Sequence, residues 1–149
     1  MSTNALQLLL EQAEQREHNA AVALHQARLS LENYYQQLAQ IEQYRLEYSR
    51  QMAERGQQGL TASSYGHLHK FLNQLDETLS QQRQAEWHFK QAVEEKTQAW
   101  QQARQDKKSY QWMLDKKAQE KRIREEKQQQ KMLDELATIQ FARRMQGRD

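Results

Sequence analysis

"ERGQQGLTASSYG", residues 54–66, holds three of the chain's four glycines and separates two long stretches with a different periodicity. Gly56 suits the end of a helix, because a residue without a Cβ adopts the left-handed conformation at least cost. Thr61, Ser63 or Ser64 can then cap the next helix by accepting a hydrogen bond from its free amides. Gly66 falls in the first turns of that helix. A turn this short between two helical stretches brings them together antiparallel.

Working back from the turn, apolar residues and tyrosines recur in alternating steps of three and four from Met52 to Leu6. The series runs Met52, Tyr48, Arg45, Ile41, Leu38, Tyr34, Leu31, Ala27, Leu24, Ala20, Glu17, Ala13, Leu10, Leu6. Only Glu17 and Arg45 break it. An average step of about 3.5 residues marks a coiled-coil seam. A straight 3.6-residue stripe drifts by roughly 20° per heptad and loses register over this distance. Working forward, a second seam runs from Leu68 through Leu72, Leu75, Leu79, Phe89, Val93, Trp100 and Tyr110 to Leu114, with polar residues at Gln82, Glu86, Lys96 and Lys107.

The two seams are equally long. The expected fold is all-α: two long helices in an antiparallel coiled-coil hairpin, the second overhanging at its C-terminal end. Residues 1–149 form a single hairpin in this reading, with helix one about 3–55, the turn about 56–62, helix two about 63–140 and a frayed tail about 141–149. Facing residues have numbers that add to about 120, so Met52 meets Leu68, Ile41 meets Leu79, Leu31 meets Phe89 and Ala20 meets Trp100. Glu17 and Lys107 lie one layer apart and can pair, which specifies register more than it stabilises. The paired part is a rod of about 70 Å at 1.5 Å per residue.

Beyond Leu114 the first helix has run out. Residues 115–131 carry seven basic and four acidic side chains and almost nothing apolar. They read as a single charged helix supported by pairs such as Glu120–Arg124. Apolar residues return at Met132, Leu133, Leu136, Ile139, Phe141 and Met145, with nothing in the hairpin to cover them.

Composition agrees with this architecture. The chain has no proline, no cysteine and 27 glutamines, with 37% hydrophobic and 28% charged residues. That profile suits long helices and not a compact globule. Disorder would erase the periodicity, which is present. No apolar run is long enough to span a membrane. The start, "MSTNALQLLLEQ", lacks the basic region of a secretory signal. A cytoplasmic protein is expected.

Heptad labels sort the tyrosines. Tyr34, Ile41 and Tyr48 are d residues, so Gln37 and Tyr44 are g residues beside the seam. On the second helix Leu68, Leu75 and Gln82 are d, and Phe71 and Thr78 are g. In an antiparallel pair both g rows flank the same side of the seam. Gln37, Ile41, Tyr44 and Tyr48 therefore converge with Phe71, Leu75, Thr78 and Gln82 on one face. Aromatic residues at g, where charge is usual, either form a docking surface or widen the local core near the turn.

Catalytic chemistry finds no footing. There is no glycine-rich phosphate loop, no nucleophile elbow and no cysteine. His18, His25, His67, His69 and His88 make no HExxH, and His67 and His69 point to different helix faces. No catalytic residue, cofactor, metal or small-molecule substrate is expected. Residues 104–131 mix ten basic with five acidic residues, a solvated face and not a nucleic-acid footprint.

"QIEQYRLEYSRQ" (40–51) followed by "GLTASSYGHLHKFLNQLDETLSQQ" (59–82) resembles the flagellar FliJ family. The likeness rests on Tyr-x3-Tyr before the turn, Gly-Leu-x-Ala-Ser within it and Phe-x3-Leu after it, and extends over nearly the whole chain. The resemblance implies a non-catalytic component of the flagellar type III export apparatus. It implies three partners: the export ATPase hexamer, the cytoplasmic domain of the membrane export gate, and export chaperones. Such a protein is peripheral at the inner face of the cell membrane. It also implies a likeness in shape to the central stalk of rotary ATP synthases. The family's gate-binding positions fall here on Gln37, Ile41, Tyr44, Tyr48, Phe71 and Leu75. Thr78 and Gln82 fall on two more, where the family has Ala and His. By the stalk analogy the ATPase ring receives the end carrying Leu6, Leu9, Leu10, Leu133, Leu136 and Phe141. Without the resemblance, the same hairpin reads as a general holdase chaperone or scaffold, or as a stalk of a virulence-type secretion system.

Overall fold

A computed structural model describes residues 2–59 and 61–147. They form two helices, α1 (Thr3–Gln57) and α2 (Ala62–Gln146), and no strand occurs among them. The helices pack against each other as a hairpin. The absence of proline lets each helix run unbroken.

The ends of the helices are set by local hydrogen bonds. Ser2 Oγ accepts from the Ala5 amide at 3.1 Å and caps α1. Of the three candidate caps for α2, Thr61 serves: its Oγ1 accepts from the Ser64 amide at 3.2 Å. The left-handed residue of the turn is Gly59, with φ +86°, and not Gly56. The reason is that α1 continues past Gly56 to Gln57, and the Gln58 amide still reaches the Glu54 carbonyl at 3.2 Å. The reversal therefore falls on the next glycine. α2 remains helical through Gln146, where the sequence suggested fraying from residue 141. Leu60 of the turn motif and residues 148 and 149 of the expected tail lie outside the described residues.

The expected register is met. Tyr34 stacks on Phe89, Tyr35 bonds Glu86, Arg45 pairs with Asp76, and Tyr48 touches Phe71. Numbers rise along one helix as they fall along the other, with sums close to 120. The buried core is Leu6, Ala13, Leu24, Tyr34 and Leu79, and each holds a seam position. Along α1 the only seam member left exposed is Arg45, whose charge cannot enter the contact unpaired. On α2 the seam moves by one residue at Lys96. Lys96 is exposed and Thr97 is half-buried instead, its hydroxyl satisfied by the Val93 carbonyl at 2.7 Å.

Contact density divides the chain into two compact units, each containing part of both helices. One is Glu17–Ala103; the other combines Met1–Arg16 with Arg104–Asp149. In the second unit, every described residue from Ala118 onward is exposed. The expected Glu120–Arg124 ion pair does not form there; Arg122 and Glu126 approach to 3.9 Å instead. Exposed pairs of this kind contribute only about 0.2–0.5 kcal/mol, so the helix selects weakly between them.

Candidate functional site

The four tyrosines between residues 32 and 48 have four different environments, and these define two unlike flanks of the Glu17–Ala103 unit. Tyr34 belongs to the core, 2% exposed, with its ring 5.0 Å from that of Phe89 and nearly parallel to it. Its hydroxyl donates to the Gln82 carbonyl. Burial holds its pKa above the ordinary phenol value, with Glu86 and Tyr35 adding to the effect.

Tyr35, one residue on, faces the flank that carries the e residues. Its hydroxyl donates to Glu86 Oε1 at 2.9 Å, and Lys90 Nζ reaches the same oxygen at 2.9 Å. The hydrogen bonds from Lys90 and then Tyr35 hold the Glu86 carboxyl below the usual range. Further along this flank Glu42 pairs with Arg83 at 3.2 Å, and the Arg45 guanidinium turns outward to Asp76. Three consecutive cross-helix polar contacts thus line one side of the seam.

The opposite flank carries the g residues, and its character differs. Tyr44 is 49% exposed, and Gln40 Nε2 of its own helix donates to its hydroxyl at 3.0 Å. Tyr48 meets Phe71 edge-on, with ring centroids 4.7 Å apart and planes at 72°. Such pairs contribute about 0.5–1.5 kcal/mol. Phe71 nonetheless remains 39% exposed. Ile41, Leu75, Thr78 and Gln82 are half-buried, and Gln37 is exposed. The Thr78 hydroxyl bonds back to the Gln74 carbonyl at 2.9 Å, leaving its methyl group for the surface. None of Gln37, Ile41, Tyr44, Tyr48, Phe71, Leu75, Thr78 and Gln82 carries a charge.

A shallow cavity of about 370 Å³ adjoins Tyr48 and Phe71 and is also lined by Arg55, Ser64, His67 and Leu68. The sequence reading omitted Arg55 and Ser64. Both were within its reach, since Arg55 follows Tyr48 by one heptad and Ser64 precedes Phe71 by one. Among the described residues no cluster of three or more His, Asp or Glu side chains could hold a metal ion. No described helix is long and apolar enough to cross a membrane.

The second set of expected binding residues splits. Leu6 has a partner inside the chain. It is 2% exposed and shares a pocket of about 280 Å³ with Trp112, Met113 and Lys116. The first turns of α1 already face α2, so Leu6 is core and is not available to another protein. Leu9 and Leu10 are half-buried, and the neighbour that does project is Leu8, 56% exposed. Leu133, Leu136 and Phe141 are 61%, 53% and 66% exposed, as expected.

The family model described as "Flagellar FliJ protein" matches residues 1–146. The chain belongs to the flagellar FliJ family. No curated protein and no solved structure matches it. As a FliJ family member it is a flagellar protein associated with export, in a family of non-catalytic components. The two motifs that flank the turn, Tyr44 with Tyr48 and Phe71 with Leu75, are the residues that make up the aromatic flank.

Proposed function

We propose that this FliJ family member is a non-catalytic stalk and adaptor of the flagellar type III export apparatus. It binds the cytoplasmic domain of the membrane export gate through the flank of Gln37, Ile41, Tyr44, Tyr48, Phe71, Leu75, Thr78 and Gln82. It binds the export ATPase ring through apolar residues of the other unit: the exposed Leu133, Leu136 and Phe141 on the overhanging part of α2, and Leu8 with the half-buried Leu9 and Leu10 on the first turns of α1. Export chaperones are carried by the same protein. It acts on the cytoplasmic side of the membrane as a peripheral component.

The observation that supports this reading is the contrast between the flanks. Where charged residues flank the seam, they find each other across it. Where aromatic residues flank it, Tyr44 and Phe71 remain 49% and 39% exposed. Aromatic anchors held in place before binding are the usual centres of protein recognition. Tyr44 is held by Gln40 and Phe71 by Tyr48, so little side-chain entropy remains to be lost when a partner arrives.

The test has two arms. Tyr44→Ala and Phe71→Ala weaken binding to the gate domain by roughly tenfold or more each, about 1.4 kcal/mol, while the chain remains helical. Leu133→Asp lowers stimulation of the cognate export ATPase and leaves gate binding intact. Normal gate binding by both alanine variants would remove the flank from the account.

The exposed 132–145 row gives a general holdase reading some support, because loose apolar side chains can grip unfolded clients. That reading requires suppression of aggregation for unrelated clients, with no preference for flagellar components.

A further inference from the structure

Within the exposed part of α2, residues 118–131 are charged and polar with Ile123 as the main exception, and a solvated helix needs nothing more. Residues 132–143 differ. Met132, Leu136 and Ile139 follow one another at steps of four and three, and Arg143 continues the series. The three apolar members are 62%, 53% and 49% exposed. This is the spacing with which a helix docks on another helix.

The segment is its own complement. Lay two copies antiparallel about a two-fold axis between residues 137 and 138. Leu136 then faces Ile139 of the second copy, and Ile139 faces the second copy's Leu136. In the outer layers Met132 lies against the aliphatic stem of Arg143 of the second copy, a cover that such stems readily provide. Glu135, at the edge of the stripe, comes beside the same guanidinium. Each contact occurs twice, as a two-fold interface requires. A parallel pairing would set Glu135 against Glu135 and Arg143 against Arg143, so the charges select the antiparallel form.

The hairpin already uses this device. Arg45 occupies a seam position, keeps 45% of its side chain exposed and turns its guanidinium to the Asp76 carboxylate on the facing helix. Glu135 and Arg143 have no ion-pair partner within the described chain.

We infer that the Met132–Arg143 strip is a homotypic docking surface whose occupant is a second copy of this chain, bound antiparallel. The contact has two apolar layers and two mixed ones. It falls well below the roughly 1,200 Å² of a stable interface, so the pairing is weak and reversible, with a Kd on the order of 100 µM. It does not depend on the proposed ATPase docking. If both occur, they share the stripe and exclude each other.

Sedimentation equilibrium of the full chain between about 10 µM and 1 mM tests this range of Kd. The weight-average mass is expected to rise from one chain toward two. Glu135→Arg and Arg143→Glu each set like charges together twice and should weaken association by roughly tenfold or more. An equimolar mixture of the two variants should regain it, because each then offers the other the opposite charge at both contacts. Both substitutions lie on an exposed helix face, and circular dichroism checks that helicity is kept. A chain that stays monomeric to the highest concentration would overturn the inference. So would association that survives both single variants, or a mixture that fails to restore it.

Discussion

The two flanks of the Glu17–Ala103 unit are built from neighbouring columns of the same two helices, and they end up in opposite conditions. On one, Glu42–Arg83, Arg45–Asp76 and Tyr35–Glu86 bridge the helices in sequence. On the other, Tyr44 is 49% exposed with its hydroxyl bonded to Gln40 of its own helix, and Phe71 meets Tyr48 edge-on yet stays 39% exposed. The contrast separates three tasks. The seam holds the helices together. The charged flank fixes their alignment, since its pairs are 32–63% exposed and each contributes little to stability. The eight residues of the aromatic flank carry no cross-helix charge pairs of this kind, and this contrast supports the role in recognition proposed for it.

The contrast can be broken most severely at Tyr34, where the seam is fullest. Tyr34→Ala should cost about 3 kcal/mol of unfolding free energy, in the range for a buried aromatic side chain. Tyr44→Ala should stay within about 0.5 kcal/mol, as for a surface residue. Urea unfolding followed by circular dichroism measures both, and similar losses in the two variants would erase the distinction between seam and flank.

A pH series sharpens the same point. The pKa of Tyr34 is raised on folding, from the ordinary value of 10.0. Its contribution is therefore fully present below pH 10.0 and is lost as pH rises from there through the folded value. The melting temperature should fall in that alkaline window, and less steeply in Tyr34→Phe. An unchanged alkaline slope in that variant would mean that Tyr34 titrates as if in water.

Smaller effects separate the flanks from each other. Phe71→Ala should cost about 1 kcal/mol through its contact with Tyr48. Arg45→Ala should cost less than about 1 kcal/mol, and the difference from the parent chain should shrink further in salt. A larger loss from Arg45 than from Phe71 would reverse the division of labour.

Much of this was legible in the sequence, for a physical reason. A two-helix contact has one repeated geometry, so a period of 3.5 residues carries both the register and the side on which each tyrosine lies. Tyr34 and Tyr35 differ by one place and fall, as the labels require, in the core and on the charged flank. The misreadings are local. Gly56 and Gly59 are equally able to turn the chain, and the choice depends on where α1 stops making helical hydrogen bonds. Lys96 gives way to Thr97 because a hydroxyl can be satisfied by its own helix and an ammonium cannot. The stalk analogy places Leu6 at a partner surface, whereas Trp112 and Met113, which stand beside the seam and not in it, line a pocket with it. What the aromatic flank binds is not encoded in packing at all; the family supplies that expectation.

The most direct test follows ring signals by NMR in the labelled chain as the cytoplasmic gate domain is added. Tyr44 and Phe71 should shift or broaden, while Tyr35, nearby on the charged flank, should hold its position. Movement of Tyr35 with Tyr44 and Phe71 unmoved would contradict the account.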